Sequence, residues 1–210
     1  MNFVNETYKI QANTIIKNLN KRFMEGYYCK TKEEAKTKVL SLISENSSVS
    51  WGGSMTLDEI GIKEALGNKN LNVINRDNGK TPEEKKKLMK DALTCDYFLT
   101  STNAITLDGE LINIDGNANR VAAICFGPEN VIVVAGMNKV VANVETGIDR
   151  VHTNACAPNC IRFNLKNPCS VTGKCTNCID TSICAQMLIT RLSKVHNRIK
   201  VVLVGESLGF

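Results

Sequence analysis

Val131–Ala135 is apolar at every position, and Lys200–Val204 is apolar after its first residue. Strands without apolar/polar alternation are buried on both faces. That requires helices above and below a largely parallel sheet. The rest of the chain supplies the alternation such a sheet needs. Ile10, Ile15, Ile16 and Leu19 recur at helical spacing, as do Ala35, Val39, Leu42 and Ile43. Residues 1–46 therefore read as an N-terminal helical segment, with Gly26–Lys30 separating two helices and Thr31 with Glu34 opening the second as a capping box. Residues 47–210 read as an α/β domain.

Within that domain, strands are expected at Ser48–Trp51, Leu71–Asn75 and Tyr97–Thr100, with a hairpin through Asp108-Gly109 joining Ala104–Thr106 to Leu111–Ile114. Helices are expected over Thr56–Leu66, closed by Gly67, and from Thr81 to about Thr94, with Pro82 in the first turn. Arg120–Cys125 is compatible with either a helix or a strand. A long helix is expected from Val140 to about Cys160, interrupted or ended near Pro158, and another over Ser182–Ser193. The fold class is α/β, a Rossmann-like sandwich with a mostly parallel sheet.

In such sheets ligands bind beyond the carboxyl ends of the strands. That rule selects Gly52-Gly53-Ser54, Ser101-Thr102-Asn103 and Gly205-Glu206. Two glycines allow close backbone approach to an anion, with a helix start behind them, although the stretch matches neither common phosphate-loop fingerprint. Asn119 and Arg120 follow Asp115 at a helix start. Arg120 can hold a carboxylate or phosphate bidentately, or simply pair with Asp115. Lys139, after the apolar strand, is a further anion ligand. The candidate ligand-binding set is Gly52, Gly53, Ser54, Thr102, Asn103, Asn119, Arg120 and Lys139. Glu206 and Asp115 are the candidate acid/base residues.

Nine cysteines are many for 210 residues, and six fall between Cys156 and Cys184. In a reducing compartment such a cluster points to metal or catalysis rather than disulfides. Cys175-x2-Cys178 is flanked by Cys169 and Cys184, each with five residues between. Four thiolates from one loop satisfy tetrahedral zinc or an iron–sulfur cluster, and the spacing does not choose between them. Cys156, Cys160 and His152 share one helical face and remain open as ligands, redox pair or packing contacts. Cys95 and Cys125 read as core residues, and Asn164–Thr181 as the likeliest flexible segment unless a metal orders it. Residues 149–200 carry eight basic and two acidic groups, a surplus that lowers the cost of assembling thiolates. With few aromatics and no recognition motif there, a nucleic-acid partner is not expected. No apolar run approaches membrane-spanning length and Met1–Lys21 has no signal-peptide core, so the expectation is a cytoplasmic protein without membrane contact. Self-association is left open.

Trp51-Gly-Gly-Ser54, Thr100-Ser-Thr-Asn-Ala-Ile-Thr-Leu-Asp-Gly-Glu110, Asn119-Arg-Val-Ala-Ala123, Gly127–Gly136 with Asn138-Lys139, and Val201–Phe210 occur in this order. Together they resemble the lactate-utilisation (LUD) domain family, in a stand-alone cysteine-bearing branch. The resemblance covers roughly residues 10–210. It implies a fold similar to that of sugar-phosphate isomerases, glucosamine-phosphate deaminases and CoA transferases. It also implies a role beside iron–sulfur proteins in oxidising lactate to pyruvate. The family supplies no agreed catalytic residues, and its minimal domain lacks the cysteine loop. Three functions follow as expectations. One is binding of a small anionic metabolite beside a cysteine-held metal in organic-acid redox metabolism. The others are a non-redox isomerase, deaminase or CoA-transferase relative, and a non-catalytic subunit docking a partner.

Overall fold

The protein is described by a computed structural model covering residues 3–210. Residues 1 and 2 of the expected N-terminal helical segment lie outside the described residues. Strands run over Glu25–Cys29 (β1), Ser48–Trp51 (β2), Asn72–Ile74 (β3), Tyr97–Thr100 (β4), Ala104–Thr106 (β5), Leu111–Asp115 (β6), Asn130–Gly136 (β7), Val140–Val141 (β8), Gln186–Thr190 (β9) and Ile199–Val204 (β10). Helices run over Phe3–Lys21 (α1), Lys32–Ser41 (α2), Met55–Glu59 (α3), Ile62–Gly67 (α4), Pro82–Asp91 (α5), Asn119–Cys125 (α6), Val144–Arg150 (α7), Cys156–Arg162 (α8) and Pro168–Thr172 (α9).

Six strands form one parallel sheet in the order β1-β10-β7-β4-β2-β3. The two apolar runs are its central pair, with Val201 beside Val133 and Val202 beside Val134. Their alternate residues enter different cores. Ile132, Val134, Val202 and Val204 pack with Ala35, Val39, Leu57 and Leu66 from α2, α3 and α4. Val131, Val133, Ala135, Val201 and Leu203 pack with Ile15 and Leu19 of α1 and with Ile105 and Leu111. Each fully buried aliphatic side chain contributes about 1.5–3 kcal/mol, so burial on both faces drives the sheet's assembly.

The second sheet, in the order β8-β5-β6-β9, lies over that second face. The expected hairpin is its β5–β6 pair, antiparallel with Ile105 beside Leu111. On its far side Ala104, Ile112 and Val141 pack against Val151, Cys156, Cys160 and Cys169. The cysteine segment is thus an outer layer seated on the second sheet.

Several local expectations are corrected. Glu25–Cys29 is a strand pairing with β10 rather than a linker. Gly26 lets α1 lie close, since a Cβ there would stand 2.8 Å from Ile16 Cγ1. The Thr56–Leu66 helix is two helices, broken where Gly61 takes a left-handed φ of 65°. Val140–Val141 is a strand, and helix begins at Val144, where Asn143 Oδ1 accepts from Thr146 N at 2.9 Å. The helical path continues past Pro158 to Arg162 through a π-helical turn over Val151–Ala155. That turn widens the backbone where the proline ring would meet the carbonyl four residues earlier. Ser182–Ser193 is not helical. Its centre is β9, recruited by antiparallel pairing with β6. Asn164–Thr181 contains α9. Cys125 is exposed, whereas Cys95 is buried.

Candidate functional site

A cavity of about 480 Å³ opens beyond the carboxyl ends of the parallel strands. Gly53 and Ser54 reach it after β2, Arg76 after β3, Ser101, Thr102 and Asn103 after β4, and Lys139 after β7. Asp115, Asn119 and Arg120 come from β6 and α6. Most of the strand-end residues singled out in the sequence therefore converge. Glu206 does not line this cavity. Its carboxylate accepts from Lys32 N at 3.1 Å, at the start of α2. Gly52 stands just behind the cavity, where a Cβ would lie 3.2 Å from Arg120 Cδ.

Arg120 is a strut rather than an open clamp. A guanidinium has five N–H donors, and Arg120 uses them inward. Nε donates to Asp115 Oδ1 at 2.8 Å, Nη1 to Ser101 O and Asn113 Oδ1 at 3.1 Å, and Nη2 to Asn103 Oδ1 and Ile114 O at 2.8 Å. Asp115 Oδ2 in turn accepts from Arg120 N and Val121 N at 3.0 Å. Asp115 is thereby fixed as the partner of Arg120 and of the first turn of α6. Thr102 Oγ1 donates to Ala104 O and Ile112 O. These residues set the cavity wall, and their polar groups are already engaged.

Three other cations face the space. Lys139 is 2% exposed, and its Nζ donates to Thr56 Oγ1 and Ser101 Oγ, both at 2.9 Å. Burial, reinforced by the charges of Arg150 and Arg120, brings its pKa down to about 7. Arg162 has a buried Nε with no hydrogen-bond partner among the described residues, and its guanidinium lies 4.5 Å from the Phe163 ring centroid. Burial and then the Arg76 charge lower its pKa. Arg76 forms an ion pair with the exposed Asp77, at 3.7 Å. Neither Lys139 nor Arg162 forms an ion pair among the described residues. Gly53 is what admits Arg76, and Arg162 lies in ordinary contact beside it. A Cβ there would lie 2.5 Å from Arg76 Nη2 and 3.6 Å from Arg162 Nη2. Arg76 was discoverable by the strand-end rule, since it follows β3. Arg162 lies among the cysteines with no local signal for this cavity.

The cysteines gather in a second, smaller cavity of about 40 Å³. Cys156, Cys160, Cys169, Cys175, Cys178, Cys184 and His152 all line it. The sulfurs stand in unbonded pairs, Cys156–Cys184 at 3.5 Å and Cys160–Cys169 at 3.6 Å, and His152 Nδ1 is 3.3 Å from Cys175 Sγ. Although seven soft donors share the cavity, no group of three or more His, Cys, Asp or Glu is arranged about one metal position among the described residues. The hydrogen bond between Cys184 and Cys156 holds the Cys184 thiol down to about 7, and raises that of Cys156. Burial, then contact with Cys169, pushes Cys160 up to about 12. The loop's four expected ligands are joined here by two from α8. Cys156 and Cys184 line both cavities, so the two spaces share a wall.

No helix of the described residues is long and apolar enough to cross a membrane. Comparison with curated proteins returned no match. Among solved structures, the chain is similar to a DUF162 family protein from Deinococcus radiodurans, with 14% identity over 95% of this chain and 97% of that one and a TM-score of 0.51. It is also similar to ribose 5-phosphate isomerase A from Neisseria gonorrhoeae, with 16% identity over 54% of each chain and a TM-score of 0.36. The model of the LUD domain matches residues 12–204, which include both sheets and every residue lining the two cavities except Gly209 and Phe210, and the chain belongs to the LUD domain family.

Proposed function

We propose that this protein binds a small carboxylate- or phosphate-bearing metabolite in the strand-end cavity and moves a proton on it through Lys139. The observation that carries this reading is the convergence of Lys139, Arg76 and Arg162 on one cavity whose buried carboxylate, Asp115, is already taken up by Arg120. Buried cations without counter-charge are costly unless a ligand supplies the charge. Lys139, with a pKa near neutrality, exchanges protons readily at physiological pH. In its amine form it accepts a proton from a carbon beside a carbonyl and returns it elsewhere on the same substrate. Arg162 and Arg76 hold the substrate's anionic group. Proton transfer of this kind contributes about 10²–10⁴ in rate. This is the chemistry of a non-redox isomerase- or deaminase-like enzyme, with Lys139 replacing Glu206 and Asp115 in the acid/base role.

A second reading is favoured by the wall that Cys156 and Cys184 share between the cavities. A metal there would bring redox chemistry to a bound organic acid such as lactate, with iron–sulfur proteins as electron partners. Both readings need the anion cavity.

Titration calorimetry with ribose 5-phosphate, L-lactate, pyruvate and inorganic phosphate tests the cavity. At least one should bind, and Arg162→Met should weaken it by roughly tenfold, the loss of one charged hydrogen bond. No binding, or binding unchanged in Arg76→Met and Arg162→Met, overturns the reading. Deuterium uptake from D2O into a bound oxo-acid, lost in Lys139→Met and independent of any electron acceptor, supports proton transfer. Turnover only with an added acceptor supports the redox reading.

A further inference from the structure

Proton transfer in the strand-end cavity leaves the whole cysteine cavity unused, and the inference drawn from it does not depend on that reading. Three observations narrow what seven soft donors around one small space can hold. The first is the pairing of sulfurs, Cys156 with Cys184 at 3.5 Å and Cys160 with Cys169 at 3.6 Å. Two thiolates on one tetrahedral metal, each at about 2.3 Å, stand about 3.8 Å apart. Each pair already spans close to one edge of a metal's tetrahedron. The second is the donor set: six of the seven are cysteine sulfurs, and a metal whose other two positions are filled by bridging sulfide needs only one such pair. The third is charge. Residues 149–200 carry eight basic and two acidic groups, which offset the negative charge of a thiolate-ligated cluster.

We propose that this cavity holds a two-iron, two-sulfide cluster. The Cys156–Cys184 pair binds the iron on the side of the strand-end cavity, and the Cys160–Cys169 pair binds the other. Assembly joins two ferric ions, two sulfides and four cysteine sulfurs, and the four thiol protons leave to solvent. The product carries two negative charges and accepts one electron. Cys175, Cys178 and His152 stand around the pairs as neighbours rather than ligands, with Asn167 Nδ2 3.9 Å from Cys178 Sγ. This differs from a site built by Cys169, Cys175, Cys178 and Cys184 of the loop alone. Helix α8 supplies half the ligands, and its two cysteines, one turn apart on the same face, meet different partners, Cys156 with Cys184 and Cys160 with Cys169. Because Cys156 and Cys184 also line the strand-end cavity, one iron would lie in its wall.

The test uses the full chain purified without oxygen and reconstituted with ferric iron, sulfide and a thiol reductant. Iron, acid-labile sulfide and zinc are assayed per chain, with visible absorption and electron paramagnetic resonance before and after dithionite. The expected result is about two irons and two sulfides per chain, with absorption that bleaches on reduction and a one-electron signal. Cys156→Ala, Cys160→Ala, Cys169→Ala and Cys184→Ala should each lower retained iron by roughly tenfold or more. Cys175→Ala and Cys178→Ala should retain the cluster. Circular dichroism melts of the metal-free variants separate ligand loss from misfolding. Zinc alone, no metal, four irons per chain, or a cluster lost in Cys175→Ala and Cys178→Ala but kept in the four paired variants overturns the proposal. Arg162→Met should leave the iron count unchanged, so failure of anion binding and failure of the cluster are read separately.

Discussion

Lys139 and Ser101 face each other across 2.9 Å from Nζ to Oγ, and the ammonium's other partner is the Thr56 hydroxyl rather than a carboxylate. Two hydroxyls solvate a buried cation less well than water does, which is why Lys139 titrates near 7 instead of 10.5. Between those values the unfolded chain binds the proton and the folded chain does not. Stability from this group therefore rises with pH from about 7 toward 10.5, and below 7 the full cost of the buried charge is present. Lys139→Met should raise the unfolding free energy at pH 6 by on the order of a few kcal/mol, and this gain should shrink as the pH approaches 10. Urea unfolding at both pH values measures it. A variant less stable than the parent at pH 6 would contradict the account.

Asp115→Asn should be among the most damaging single changes. The Arg120–Asp115 pair is nearly buried, with side chains 12% and 9% exposed. The amide keeps an acceptor for Arg120 Nε but turns a donor toward Arg120 N and Val121 N, which now point at Asp115 Oδ2. Breaking a buried pair on one side costs about 3–5 kcal/mol. Asp91→Asn, in the exposed Lys87–Asp91 pair, should change nothing measurable. Denaturant midpoints for the two variants give the comparison directly.

The parallel sheet was legible because β7 and β10 bury both faces and so drop all polar alternation. The strand-end rule then pointed to Gly53, Ser54, Thr102 and Asn103, and the apolar strand before it marked Lys139 as a further anion ligand. It could not separate Lys139 from Glu206. Both follow an apolar strand, but the Glu206 carboxylate turns to Lys32 N. Nor could it show that Arg120 spends its donors inward, because its acceptors come from five separate positions between Ser101 and Asp115. β9 was misread as helix because its partner β6 is remote in sequence and its own side chains are mostly exposed. The cysteine loop announced itself by spacing. Its meeting with Cys156 and Cys160 of α8 depends on how α8 and the loop pack over the second sheet.

Gly52→Ala and Gly53→Ala should separate stability from binding. At Gly53 the added Cβ meets Arg76 Nη2, the far end of a flexible side chain that can swing aside. The fold should lose less than about 1 kcal/mol, while anion affinity drops severalfold because the guanidinium has moved. At Gly52 the Cβ meets Arg120 Cδ at 3.2 Å, and Arg120 is pinned by five hydrogen bonds. That variant should lose about 1–3 kcal/mol. Thermal melts paired with phosphate titrations distinguish the two. Equal stability losses would mean that Arg120 is freer than its contacts imply.

Gly116→Ala tests the wall between the two cavities. A Cβ there would stand 2.9 Å from Ile183 O, a backbone atom. The adjoining backbone is held by the Ala185 N–H, which donates to Asp115 O at 2.8 Å. The clash therefore cannot be relieved by a rotamer change. The backbone at Ile183 must move, and Cys184 moves with it, away from the 3.5 Å approach to Cys156. The expected cost is about 1–3 kcal/mol. Iron bound by the reconstituted protein should also pass to a chelator severalfold faster than in the parent. Gly67→Ala, where an added Cβ meets nothing within 4 Å, is the matched control and should leave iron release unchanged. If Gly116→Ala released iron at the parental rate despite the lost stability, Cys184 would not be holding the metal.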